Sequence, residues 1–420
     1  MDETLYIYVD MGAPRPVGRI HLHGPSAGAT FIYDPAWLKD GFPLGPSLPL
    51  APGEFHTSKD SVLPGILADT CPDRWGRLVL RREETHAAQR EKRTARTLTD
   101  SDRLLMVSDA LRLGAIRIAR EPGGPFLAES GPLPLGVELA RLLTATRKVI
   151  QELDTDDDMK LLLAPGASMG GARPKAVISD KGQLYMAKFP HPDDDRSVES
   201  WEAVALRLAE KAGIQVPGGH RIVKVLDQPV LITKRFDREG NKRRLFASAM
   251  TLLDARDNED HSYLEMVYTI RQVGDVGDLA RLWRRLVFNI LISNTDDHLR
   301  NHGFLRGPEA WLLSPVFDVN PEPPDIRPRN LELAIDEADN TASLELAFKV
   351  AAQFGIDQKT AKDIAMEVGK VTSKWRDEAQ HVGIGRKEID RFAAAFEHKD
   401  LQLALQAKPI TPVAAAKPNI

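Results

Sequence analysis

The residues best suited to chemistry lie in one run, Asn294-Thr295-Asp296-Asp297-His298-Leu299-Arg300-Asn301. Phosphoryl transfer to a hydroxyl needs a carboxylate to accept the hydroxyl proton and, five residues on, an asparagine to hold a metal ion. Asp296 and Asn301 have that spacing. Two strand-like pieces follow, Gly303-Phe304-Leu305 and Trp311-Leu312-Leu313, and lead into Val316-Phe317-Asp318-Val319-Asn320. Magnesium beside nucleotide phosphates takes carboxylate oxygen, which Asp318 is placed to supply. Taken alone, Asp-Asp-His after a helix also fits a solvated C-terminal turn, or a small metal site of Asp296, Asp297 and His298. Asn301, the strand pair and Asp318 together favour the catalytic reading.

Upstream, Gly166-Ala167-Ser168-Met169-Gly170-Gly171-Ala172-Arg173-Pro174-Lys175 precedes a strand-like stretch. Small residues such as Gly170 and Gly171 let backbone amides approach phosphate oxygens, and a lysine adds charge. The spacing is not that of a Walker A loop. The next strand, Leu184-Tyr185-Met186-Ala187-Lys188-Phe189-Pro190, carries a lysine among apolar neighbours. Such an ammonium is costly to bury unpaired. Lys175 and Lys188 are therefore candidates to bind ATP phosphates, with Glu202 on the following helix to orient Lys188 and Glu199 as a rival. A solvent-facing edge strand is the plain alternative for Lys188. Val230-Leu231-Ile232-Thr233-Lys234-Arg235-Phe236-Asp237-Arg238 ends an apolar strand where a hinge between lobes would lie. Backbone groups at Lys234 and Phe236 are candidate adenine contacts, and His298 is a further candidate ATP contact.

These groups need rigid supports. Leu279, Leu282, Trp283, Leu286, Val287, Ile290 and Leu291 form the apolar stripe of a buried helix leading into the Asp296 segment. Asp278 is expected to cap it. Residues 4–10 and 17–23 alternate as strands, and a charged helix follows Pro72-Asp73-Arg74-Trp75-Gly76-Arg77. Gly and Pro recur over 120–135 and suggest a linker, with a helix at 136–153 after it. Residues 160–236 read as strands with one helix at 197–212, and the chain from 278 reads as mainly helical. The expected order is an N-terminal subdomain (1–120), a nucleotide-binding lobe (136–236), a helical lobe (237–405) and a disordered tail (406–420).

The ordered set of motifs resembles the HipA family of bacterial toxin–antitoxin kinases. Ser168 to Lys175, Ala-Lys-Phe-Pro (187–190), Lys-Arg-Phe-Asp-Arg (234–238), the Asn294–Asn301 segment and Phe-Asp-Val (317–319) carry the likeness, with Tyr-Asp-Pro-Ala-Trp-Leu and Pro-Asp-Arg-Trp-Gly-Arg near the N-terminus. The resemblance implies an α+β, two-lobe, protein-kinase-like fold and an ATP- and Mg2+-dependent serine/threonine kinase. It implies Asp296 as catalytic base, Asn301 and Asp318 as metal ligands, Lys175 and Lys188 on phosphates, and Ser168 as an autophosphorylated loop serine. It implies an aminoacyl-tRNA synthetase as substrate, the glutamyl enzyme first. It also implies a HipB-like helix-turn-helix antitoxin that carries the complex to operator DNA. The sequence departs from the pattern at Asp297, where glycine is frequent, at Arg173-Pro174, and over Phe246 to Tyr263. A weakly active co-repressor and a small-molecule phosphotransferase remain the alternative readings; segments 33–50 and 72–77 speak against the latter.

Bulk properties narrow the rest. The chain has 420 residues, a net charge of −4 and one cysteine, Cys71, which excludes an intrachain disulfide framework. There is no basic, apolar leader and no run approaching a membrane span, so the cytoplasm is the expected compartment.

Overall fold

The computed structural model describes residues 3–24, 27–58, 61–128, 138–163, 172–240 and 242–406. Alternating apolar and polar residues build the first sheet. In Glu3–Asp10, Leu5, Ile7 and Val9 turn inward, as period-two geometry requires. The five strands are antiparallel, in the order Glu54–His56, Ala29–Tyr33, Pro14–Leu22, Glu3–Asp10 and Ile116–Ala119. Gly18 is required inside it, because a Cβ there would lie 2.3 Å from the Ile32 carbonyl oxygen. After this sheet's fourth strand in sequence, helix Arg74–Arg90 starts on Asp73, whose side chain accepts from the Gly76 amide at 2.7 Å.

A second antiparallel sheet follows the order Lys175–Asp180, Gln183–Lys188, Gln228–Lys234 and Arg221–Val225. On one face Ala176, Ile178, Ala187, Phe189, Val230 and Ile232 pack with residues of helices Leu139–Ile150 and Asp156–Leu163 and with Trp75 and Val79. By alternation, Lys175 and Lys188 lie on the opposite face, the side of helix Val198–Lys211.

The rest is mostly helical, with a small sheet of Phe246–Ser248, Gly303–Arg306 and Trp311–Leu313. Trp201 stacks on Phe392 (4.0 Å between centroids, 8° between planes), and Trp375 stacks on Phe396 (4.5 Å, 3°). Each such pair adds about 0.5–1.5 kcal/mol beyond area burial. The first binds helix Val198–Lys211 to helix Arg386–Phe396, and the second binds helix Trp375–Val382 to the same helix. One apolar core runs without a break from Leu5 in the first sheet to Leu401 near the end of the described chain. A smaller, separate core lies between the second sheet and helices Leu139–Ile150 and Asp156–Leu163.

Two expectations are corrected. Residues 160–163 end the helix Asp156–Leu163 and are not strand; Met159 and Leu162 supply its buried face. Asp278 does not cap its helix, because Gly277 holds that position. The Asp278 side chain is buried, and it accepts from the Leu313 amide at 2.6 Å and from Arg281 at 2.8 Å. It ties the helix to the hairpin instead. The expected tail falls almost wholly outside the described residues, as does the end of the Gly/Pro-rich stretch, 129–135.

Candidate active site

Helix Asp278–Ile292 buries the predicted stripe and stops at Ser293, whose backbone is left-handed (φ 54°). The orphan carbonyls at a helix end need donors. Arg329 provides one, bonding the Ile290 carbonyl (3.1 Å) and the Ser293 hydroxyl (2.9 Å) while paired with Asp400 (3.0 Å). Asn294 folds back onto Asn289, with its amide on the Asn289 carbonyl at 2.9 Å. The segment that follows is thus launched from a fixed point.

Asp296 projects outward from that point, with its side chain 63% exposed and Arg327 at 2.8 Å. Exposure suits a group that must reach the hydroxyl of another molecule. Asn301 is buried and donates its side-chain amide to the Asp296 carbonyl at 2.9 Å, which closes the loop between the two. The Asn301 side-chain oxygen has no hydrogen-bond partner among the described residues, although it is buried. Buried polar atoms are nearly always paired, so this oxygen is set for a ligand. The Nδ1 of His298 is buried and unpartnered in the same way.

Asp318 follows the small sheet and has φ 57°, a conformation that side chains other than glycine rarely adopt. Its carboxylate meets the Lys188 ammonium at 2.6 Å. Glu202 meets the same ammonium at 2.6 and 2.7 Å. Of the two rival glutamates, Glu202 therefore orients Lys188, while Glu199 is taken by Arg173 at 2.8 Å. Burial works against the Lys188 charge, but Asp318 and Glu202 outweigh it and raise its pKa, so the ammonium is kept. Burial also pushes the Asp318 carboxyl up, yet Lys188 and Lys175 outweigh this and hold it low.

Lys175 sits directly across the strand pair from Lys188. It is buried, and its ammonium donates to Asp73 at 2.7 Å. Trp75 donates its indole N–H to the Lys175 carbonyl at 2.9 Å. Both contacts come from the start of helix Arg74–Arg90, about a hundred residues away in the chain, and no local pattern announces them.

Asp297 does not stand beside Asp296 as a second acid in the cleft. It points into the core, where it accepts from the Tyr263 hydroxyl and from His302 Nε2 at 2.7 Å. Burial raises its pKa, but His302 and the bonds to it outweigh that and lower it. The Lys234–Arg238 run also makes structural contacts of its own. The Lys234 amide is engaged by the Gly218 carbonyl at 2.9 Å. Arg235 and Asp237 pair in full burial, Asp237 accepts from the Gly114 amide at 2.8 Å, and Arg235 donates to the Leu111 carbonyl at 2.8 Å. The Phe236 ring lies 5.6 Å from Phe317, next to Asp318. This run clasps the loop ahead of strand Ile116–Ala119, and of its residues Phe236 is the one that stands against the Asp318 segment. Ser168, Gly170 and Gly171 lie outside the described residues.

No group of three or more His, Cys, Asp or Glu side chains among the described residues is arranged to hold a metal ion by itself. Magnesium bound with a nucleotide needs only one or two protein oxygens, because phosphates and water supply the rest. The unpartnered oxygen of Asn301 and the carboxylate of Asp318 fit that demand.

Two family models match the chain: the HipA N-terminal domain over residues 8–119 and the HipA-like C-terminal domain over residues 167–375. The chain belongs to the HipA family. Its HipA fold is seen again in a chain of the Shewanella oneidensis MR-1 toxin–antitoxin complex of HipA, HipB and operator DNA. That likeness has a TM-score of 0.66 at 17% identity and covers 96% of each chain. A curated Haemophilus influenzae protein, provisionally named a kinase, is 25% identical over 187 residues. The match takes in 38% of this chain and 54% of that protein, so the chain spans about half the length of this relative. The HipA-like C-terminal match encloses Lys175, Lys188, Glu202, Asp296, Asn301 and Asp318. No helix among the described residues is long and apolar enough to cross a membrane.

Proposed function

We propose that this HipA-family chain is the toxin of a toxin–antitoxin pair and acts as an ATP- and magnesium-dependent serine/threonine protein kinase. The observation that carries the reading is the convergence of Lys188, Glu202 and Asp318 beside a loop whose buried Asn301 oxygen has no partner among the described residues. Lys188, held by Glu202, takes the nucleotide phosphates. Asp318 and Asn301 hold magnesium, which when bound shields phosphate charge. Asp296 accepts the proton of the incoming hydroxyl at its exposed carboxylate, and Arg327 keeps that carboxylate oriented. Phe236 and His298 border the nucleotide, and Lys175 serves the phosphates from the neighbouring strand. Gly170 and Gly171 are proposed as phosphate contacts through their backbone amides, and Ser168 as the site of self-phosphorylation.

The family places a HipB-like antitoxin beside such a chain, and the solved complex of the Shewanella relative contains HipB and operator DNA. A HipB-like partner that brings this chain to its operator is accordingly part of the proposal. An aminoacyl-tRNA synthetase, the glutamyl enzyme first, is the proposed substrate. The action belongs in the cytoplasm, where both are found. Three working segments, 1–120, 136–236 and 237–405, are proposed to support the first sheet, the nucleotide and the catalytic loop.

Expression of the chain without its antitoxin tests this. Wild type is expected to arrest growth and to add phosphate to one synthetase, and excess of that synthetase is expected to relieve the arrest. Equal toxicity of Asp296→Asn would reject the kinase mechanism.

A further inference from the structure

We infer that Asp73, from the N-terminal segment, is a positioning residue for the nucleotide site: it holds the Lys175 ammonium in place for phosphate. This rests on the nucleotide reading proposed above. Lys175 and Lys188 are register partners on adjacent strands, where like charges repel. The structure gives the two ammoniums different carboxylates. Lys188 has Glu202 and Asp318, and Lys175 has Asp73 at 2.7 Å.

Asp73 is itself fixed. Its other oxygen accepts from the Gly76 amide at 2.7 Å, and the adjoining Trp75 donates to the Lys175 backbone at 2.9 Å. Two bonds thus join the start of helix Arg74–Arg90 to the first residue of the strand, and a third holds Asp73 in the helix cap. The Asp73 and Lys175 side chains are only 6% and 2% exposed, so water does little to weaken the pair. Take away the Asp73 carboxylate and the Lys175 ammonium loses the bond that fixes it beside Lys188, where phosphate would meet both charges.

Asp73→Ser separates this role from helix capping, since serine caps about as well as aspartate. Binding of a non-hydrolysable ATP analogue with magnesium is measured by calorimetry on the full chain. The proteins are wild type, Asp73→Ser, Lys175→Met, the double variant and Lys188→Met, each with its thermal midpoint. Asp73→Ser is expected to weaken binding about tenfold, the worth of one charge-assisted hydrogen bond. In the Lys175→Met background it is expected to add nothing. A Ser variant that binds like wild type overturns the inference, as does an effect that persists undiminished without Lys175, which would mark a merely structural role. If Asp73→Ser melts far below wild type, Asp73→Asn replaces it in the same cycle, because its oxygen keeps the cap while its amide opposes the ammonium. Lys188→Met distinguishes the two levels of the argument. Unchanged binding there refutes the nucleotide site itself, whereas loss there with a silent Asp73→Ser refutes only the role of Asp73.

Discussion

Two charged runs of this chain look alike as sequence and behave in opposite ways. Lys234-Arg235-Phe236-Asp237-Arg238 closes its charges on one another and on the backbone of residues 111–114, in full burial at Arg235 and Asp237. Asn294 to Asn301 leaves an exposed carboxylate at Asp296 and a buried oxygen at Asn301 that has no partner among the described residues. Charges that satisfy each other hold parts together. Polar atoms left without partners mark where something else binds. The difference lies in what faces each group, and residue type does not reveal it.

The comparison can be broken most sharply at the open run. Asp296→Asn is expected to lower phosphoryl transfer by about 10²–10⁴-fold, the usual worth of a general base. Its thermal midpoint should stay near wild type, because an exposed side chain carries little of the fold. A large fall in melting temperature would move Asp296 into the scaffold class.

At the closed run the pattern should invert. Asp237→Asn leaves Arg235 buried without its anion, and breaking such a pair costs roughly 3–5 kcal/mol. Denaturant unfolding measures this, and a variant as stable as wild type would contradict the clasp.

A pH series sharpens the same point. Burial pushes the Asp237 carboxyl up, but Arg235 and Arg238 outweigh it and bring it down to about 2. A folded pKa below the unfolded one, about 3.9, stabilises the native state above pH ~4 and loses that contribution as pH falls through about 2. By this linkage the carboxylate contributes roughly 2 kcal/mol at neutral pH. Between pH 5 and 2, stability should therefore fall less steeply in Asp237→Asn than in wild type. Parallel profiles would show that Asp237 is not depressed.

The smallest effect is expected at Tyr263→Phe. It removes one bond to Asp297 and leaves His302 in place. Stability should drop by about 1–3 kcal/mol, with activity reduced less than that of Asp296→Asn. An equal loss of activity would make the Asp297 network part of the chemistry.

Much of the site could be read before the fold was seen. Asp296, Asn301 and Asp318 stand out through fixed spacing around a strand pair, and Lys188 through its apolar neighbours. The meeting of Lys188 with Glu202 follows from one helix after one strand. Two of the five strands of the first sheet, at 4–10 and 17–23, and the helix at 278–292 were visible in their periodicity. What escaped was long-range. Asp73 with Lys175, Gly114 with Asp237, and Tyr263 with Asp297 are joined across 102, 123 and 34 residues, and no local pattern encodes such pairs. The fate of Asp297 was hidden for another reason. One step along a loop turns a side chain from the cleft into the core, and neighbouring aspartates read identically.

The central claim is that Asp296 and Asp318 serve phosphoryl transfer from ATP. The most direct test incubates purified full-length chain with magnesium and γ-labelled ATP, alone and with candidate synthetases. Wild type, Asp296→Asn and Asp318→Asn are compared. The account predicts label on protein with wild type, and label on neither variant although both remain folded and Asp296→Asn still binds nucleotide. Undiminished labelling by either variant, or no labelling by a wild-type chain that binds Mg-ATP and is given its cognate synthetase, would contradict it.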